Sequence, residues 1–70
     1  MITMTFYDLE EGDIYSPHLS AGRFKVMTKL VDGCTYYYFL KNMGNGMIFD
    51  FNVVDYQALS IVVDIEEEKR

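Results

Sequence analysis

The chain has 70 residues, half of them hydrophobic, with eleven acids against six bases and a formal net charge of −5. That length holds one domain rather than two, the apolar share excludes a wholly disordered chain, and the acidic balance disfavours a partner made mostly of phosphates. Nothing approaches the ~20 consecutive apolar residues of a membrane-spanning helix, and residues 1–7 lack the basic start and apolar run of a secretory signal. The single cysteine, Cys34, has no internal disulfide partner, so a reduced, cytoplasmic setting is expected.

Ile2 to Tyr7 alternates apolar residues with threonine and tyrosine, which predicts a strand. Asp8-Leu9-Glu10-Glu11 has capping-box spacing, and Gly12 limits it to one helical turn. A metal-binding reading of these acids with Asp13 would need several oxygens converging from a defined loop; a solvated acidic turn is the expected reading. Asp13-Ile14-Tyr15 predicts a short strand ended by Ser16-Pro17, since proline lacks an amide donor. His18 then falls in a loop, as a surface residue.

Gly22 to Val53 organises the chain as a three-stranded antiparallel meander with Thr35 to Lys41 in the middle. Asp32-Gly33 reads as a two-residue hairpin loop. It would place Val31 opposite Cys34, Thr28 opposite Tyr37 and Val26 opposite Phe39. One face then carries Phe24, Val26, Thr28, Leu30, Tyr37 and Phe39, as core. The other carries Arg23, Lys25, Met27, Lys29, Tyr36, Tyr38 and Leu40. A loop at Gly44-Asn45-Gly46, with Gly46 left-handed, sets Phe39 opposite Phe51 and brings Phe49, Phe51 and Val53 to the core face.

Asp55 to Leu59 loses the alternation and suits one 3-10 turn. Ser60 to Glu66 alternates again as the last strand, and residues 67–70 form a charged tail beyond a single β-domain of residues 1–66. The predicted core is Phe6, Ile14, Phe24, Val26, Phe39, Phe49, Phe51, Val53, Ile61 and Val63. So small a core rarely supplies more than about 3–5 kcal/mol, which leaves room for an oligomer or partner to contribute.

Leu9-Glu10-Glu11-Gly12-Asp13-Ile14-Tyr15, a loop, and Gly22-Arg23-Phe24-Lys25-Val26 resemble the opening of small Src-homology-3-like barrels. The resemblance implies an all-β fold: a five- to six-stranded antiparallel barrel or strongly bent sheet, with a short helical turn before the last strand. Members that hold proline-rich peptides use a tryptophan, which this chain does not have. A five-stranded oligonucleotide-binding barrel and a flat sheet packed as a dimer are the other architectures this order allows.

Charge carries the functional expectation. Arg23, Lys25, Lys29 and Lys41 stand against Asp32 alone between residues 23 and 41, so a basic hairpin sits in an acidic body. No Ser/His/Asp set, Cys/His pair or glycine-rich phosphate loop points to an enzyme, and no cofactor or metal is implied. The chain reads as a non-enzymatic, acidic protein-binding module for a partner of basic character or a second copy of itself. It looks like the small accessory proteins and inhibitors that bacteriophages and bacteria encode to occupy a surface on a larger, nucleic-acid-binding protein. The expected partner-binding residues are Lys25, Met27, Lys29, Tyr36 and Tyr38, since tyrosine and methionine favour interfaces. The alternative function is binding of single-stranded nucleic acid by the same Tyr/Lys face, with stacking on the tyrosines; a plainly solvated face, with lysine stems laid over tyrosine rings, is the third reading.

Overall fold

The computed structural model describes residues 2–18 and 21–66; the charged tail at 67–70 lies outside them. The strands are β1 (Ile2–Thr5), β2 (Ile14–Pro17), β3 (Phe24–Asp32), β4 (Thr35–Asn42), β5 (Ile48–Val54) and β6 (Val62–Ile65). They form one antiparallel sheet in the order β1-β6-β2-β3-β4-β5, which does not close into a barrel. A 3-10 turn, Phe6–Asp8, follows β1, and a helix, α1 (Asp55–Ser60), precedes β6. The all-β expectation holds. The helix before the last strand is α rather than 3-10, and the 3-10 turn sits instead where the first strand was expected to continue.

The 3-10 turn forms because Phe6 leaves the strand ladder. Its N–H donates to Ile61 C=O (2.8 Å), and Leu9 N–H donates back to Phe6 C=O (3.2 Å). The Phe6 ring then drops into the concave side of the sheet, with centroids 4.7 Å from Tyr38, 5.4 Å from Phe51 and 5.6 Å from Tyr15, all edge-on. Edge-to-face pairs of this kind add to the area burial. Around it lie Leu9, Tyr15, Val26, Tyr38, Leu40, Val53, Ala58, Val63 and Ile65.

Three registers decide which residues reach that core. First, the loop between β3 and β4 is Gly33-Cys34, not Asp32-Gly33: Asp32 pairs with Thr35, and Gly33 takes φ +62° at the first loop position. A glycine there satisfies a primed turn while leaving Asp32 in the strand. Second, the ladder shifts between Val26 and Thr28, so Met27 is an extra residue: Val26 pairs with Leu40, but Thr28 pairs with Phe39. Third, the loop after β4 is longer than expected. Asn42 closes it, donating to Met47 C=O (2.8 Å) and accepting from Gly46 (2.7 Å), with Gly46 left-handed as its sequence implied. Tyr38 therefore pairs with Phe51, and Phe39 with Asp50.

The Met27 bulge corrects the face assignment. Phe24 and Val26 point inward as expected, but beyond the bulge so do Lys29 and Val31, with Tyr36, Tyr38 and Leu40 on β4. Thr28, Leu30, Tyr37 and Phe39 point out. Of the expected core, Phe6, Val26, Val53 and Val63 are buried; Phe24 and Ile61 are half-buried against it. Phe39 is exposed on the opposite face; Ile14 is half-buried and paired with the outward Lys25. Phe49 and Phe51 are on the core side yet stay open at the sheet's edge.

Truncation separates the two faces. Leu40→Ala should cost about 2–5 kcal/mol, while Phe39→Ala should stay within about 1 kcal/mol of the parent in chemical denaturation, as substitutions outside a core do. Equal losses would mean the faces are assigned the wrong way round.

The strands at the other end are tied by carboxylates. Thr3 Oγ1 donates to Asp64 (2.8 Å), and His18 Nδ1 lies 3.3 Å from both its oxygens; these partners hold the Asp64 carboxyl below its ordinary 3.8. Arg23 donates to Glu66 through Nη2 (3.0 Å) and Nε, holding that carboxyl below its ordinary 4.5. A depressed carboxyl contributes stability above its unfolded value and loses it as pH falls through the folded one. The melting temperature should therefore be level at neutral pH and begin to fall near those ordinary values. Glu66→Gln should make the decline shallower.

Candidate functional site

Beyond the row of Asp32, Thr35 and Val54 at the hairpin end, the outward face of β3, β4 and β5 presents three cross-strand rows. Leu30, Tyr37 and Asn52 form one, Thr28, Phe39 and Asp50 the next, and Lys25, Lys41 and Ile48 the last. Leu30 is 59% exposed, Ile48 57%, Phe39 48% and Tyr37 38%. Met27, left out of the ladder by the bulge, is exposed as well. β4 is paired on both sides, so Tyr37 and Phe39 stand on a rigid strand and lose little entropy on contact. Lys25 and Lys41 are directly opposed, and among the described residues neither meets a carboxylate within salt-bridge distance.

The five residues expected to bind a partner do not share this face. Lys25 is on it; Met27 is the unpaired residue of the bulge and is 39% exposed. Tyr38 is 1% exposed, its hydroxyl donating to Phe6 C=O (3.3 Å), and burial pushes that hydroxyl up to about 12. Tyr36 is half-buried against Tyr7, centroid to centroid 5.2 Å, and hydrogen bonding with Tyr7 raises its hydroxyl to about 12. Lys29 turns inward too. Its side chain is 11% exposed, and its ammonium donates to Leu9 C=O (2.7 Å) and Tyr7 C=O (3.2 Å). It lies 5.6 Å and 5.9 Å from the centroids of Tyr36 and Tyr38, and 3.8 Å from Glu10. The cation–tyrosine association read from the sequence exists, but it is an internal clamp.

Among the hollows beside the core, two stand apart by their lining. A polar one of about 670 Å³ is lined by Tyr7, Asp8, Glu10, Glu11, Lys29 and Tyr36, with Val31. Its groups are already engaged: Glu11 accepts from Lys29 N–H (3.0 Å), and Asp8 from Thr5 Oγ1 (3.2 Å). Asp13 accepts from Glu10 N–H (2.8 Å), closing the acidic turn. Among the described residues no three His, Cys, Asp or Glu side chains are placed to hold a metal ion. The second hollow, about 230 Å³, is apolar and opens on the inner side of β5, between Phe6, Tyr15, Phe24, Phe49 and Phe51. Cys34 is at the hairpin tip, its C=O receiving Asp55 N–H, and His18 is against Asp64.

Sequence reasoning missed Leu30, Tyr37, Phe39 and Ile48 as the open set. Odd and even positions of residues 36–40 are equally apolar, so only the bulge, which has no glycine to mark it, tells them apart.

The clamp can be tested by removing its charge. Lys29→Met leaves two carbonyls without their donor and should cost about 1–3 kcal/mol, with faster hydrogen exchange at Leu9 and Gly12. Lys25→Met should be neutral or slightly stabilising, because it removes a like-charge cross-strand pair. Matched losses in the two variants would contradict the assignment.

Compared with known proteins, the chain matches no family model, no curated protein and no solved structure.

Proposed function

We propose that this chain is a non-enzymatic protein-binding module that works through the outward face of β3, β4 and β5. One observation carries the reading: four large apolar side chains, Leu30, Tyr37, Phe39 and Ile48, stand open together on one face of a rigid meander. Contiguous exposed apolar surface on a small domain marks an interaction site. The face also names its partner's chemistry. Expectation from net charge alone is a basic partner, but the opposed pair Lys25 and Lys41 makes this end of the face positive. The partner that suits it carries an apolar patch with carboxylates at one side, so that charge fixes orientation and apolar contact supplies affinity. Such a role accords with the small accessory proteins that bacteriophages and bacteria encode. The antiparallel order and the helix before the last strand are in keeping with kinship to Src-homology-3-like domains.

Tyr37 and Phe39, two residues apart beside two lysines, also favour a second reading, stacking of single-stranded nucleic acid. Asp50 directly beside Phe39 opposes it, since a carboxylate there meets the phosphates that follow the bases.

Leu30→Ser with Phe39→Ser separates these from a passive surface. The double variant should keep the parent's circular dichroism and lose a partner that, once purified, binds the wild-type chain in calorimetry. Retention of that partner would overturn the reading, and captured material released by nuclease would favour the nucleic-acid alternative.

A further inference from the structure

The sheet ends at β5, and the hydrogen bonds at the two ends of the β4–β5 ladder fix which way its backbone faces. Asn42 N–H donates to Met47 C=O, and Asp55 N–H to Cys34 C=O. The register between them is unbroken. Residues that bond toward the neighbour alternate along an antiparallel strand. Met47, Phe49, Phe51 and Val53 therefore bond toward β4, while Ile48, Asp50 and Asn52 present their N–H and C=O groups to the open edge. Val54 also faces out, but its N–H donates to Gln57 Oε1 (3.4 Å).

An edge of this kind is normally blunted by lysine, proline, a bulge or short length. β5 has none of these and a single charge, Asp50: it runs seven residues, Ile-Phe-Asp-Phe-Asn-Val-Val, with apolar side chains on both faces. The opposite edge, β1, is four residues with two threonines. We propose that β5 is the contact through which two copies of this chain pair, antiparallel, about a two-fold axis at Phe51.

The sequence of the edge selects that axis. Pairing requires outward-bonding residues to meet outward-bonding residues, which removes every register shifted by one. Centring on Asp50 would set two carboxylates face to face. Centring on Phe51 sets Asp50 opposite Asn52 of the second copy, twice by symmetry, so each carboxylate meets an amide donor. Phe49 then faces Val53, and Ile48 N–H donates to the remaining free group of Val54, its C=O. An isologous contact demands this self-complementarity. The pairing also sets Phe51 beside its symmetry mate at the mouth of the apolar hollow, and brings the two outward faces into one continuous surface. Each copy carries −5, so added salt screens their repulsion and strengthens the pair.

Sedimentation of the full chain over a concentration series tests this. The wild type should pass from monomer to dimer. Asn52→Asp, which puts a carboxylate opposite Asp50, should weaken association at least about tenfold, the equivalent of about 1.4 kcal/mol. Adding Asp50→Lys to Asn52→Asp should restore it. In a Cys34→Ser background, Phe51→Cys should cross-link to its own mate on mild oxidation, since directly opposed residues in a non-hydrogen-bonded pair come within disulfide reach; Cys34→Ser alone should not. Leu30→Ser with Phe39→Ser should leave the dimer intact, which separates this contact from the outward face. A wild type that stays monomeric throughout, or an Asn52→Asp variant that associates as well as the parent, would overturn the proposal.

Discussion

The Met27 bulge is the constraint from which the rest follows. Below it, Val26 gives its backbone to the acidic loop, donating to Asp13 C=O (2.9 Å) and accepting from Gly12 N–H (2.8 Å). Above it, β3 runs past the end of β2, and Glu11 accepts the Lys29 N–H there. One strand thus serves two neighbours, and the extra residue lets both halves aim their useful side chains inward. Without it, either Val26 or Lys29 would face solvent. Tyr38 would have no ammonium above its ring, and Leu9 C=O would lose its donor.

A lysine in that position is not an obvious choice. Withdrawing an ammonium from water is costly unless its donors are used. Here two carbonyls take hydrogen bonds, two tyrosine rings lie beneath, and Glu10 stands at the rim. The carbonyls belong to the 3-10 turn and the residue that ends it, Tyr7 C=O and Leu9 C=O. Lys29 therefore does for this turn what a paired strand would do, and lets Phe6 and Leu9 reach the core without a ladder to hold them.

Strand positions in the meander, the left-handed Gly46 and the inward set of the last strand were legible because they rest on alternation and turn chemistry, which act within a few residues. Val53 and Val63 follow from them. The face of β4 was not legible. Tyr36, Tyr38 and Leu40 differ little in apolar character from Tyr37 and Phe39, so the choice lay with a bulge set by Asp13 and Gly12, more than ten residues away in sequence. Likewise, Asp32 stays in its strand because the turn needs a positive φ at its first position, and Gly33 provides it. The expected aromatic and cationic face was real in composition; a one-residue insertion turned it inside.

That inversion also sorts the cations of the hairpin. Lys29 is withdrawn and satisfied, and Arg23 is paired with Glu66. Lys25 and Lys41 remain opposed on the outward face, next to Ile48 and one row from Phe39. Folding alone gives no reason for two like charges at adjacent cross-strand sites, where they are mildly destabilising, and the chain has acids to spare. The acids are held elsewhere, by Thr3, Thr5, Lys29 N–H and Glu10 N–H. A carboxylate brought from outside to this position relieves a repulsion already present in the free protein as well as forming an ion pair. Its effect on binding is therefore larger than that of the same carboxylate at an isolated surface lysine, and the gain is confined to the orientation that places it between Lys25 and Lys41.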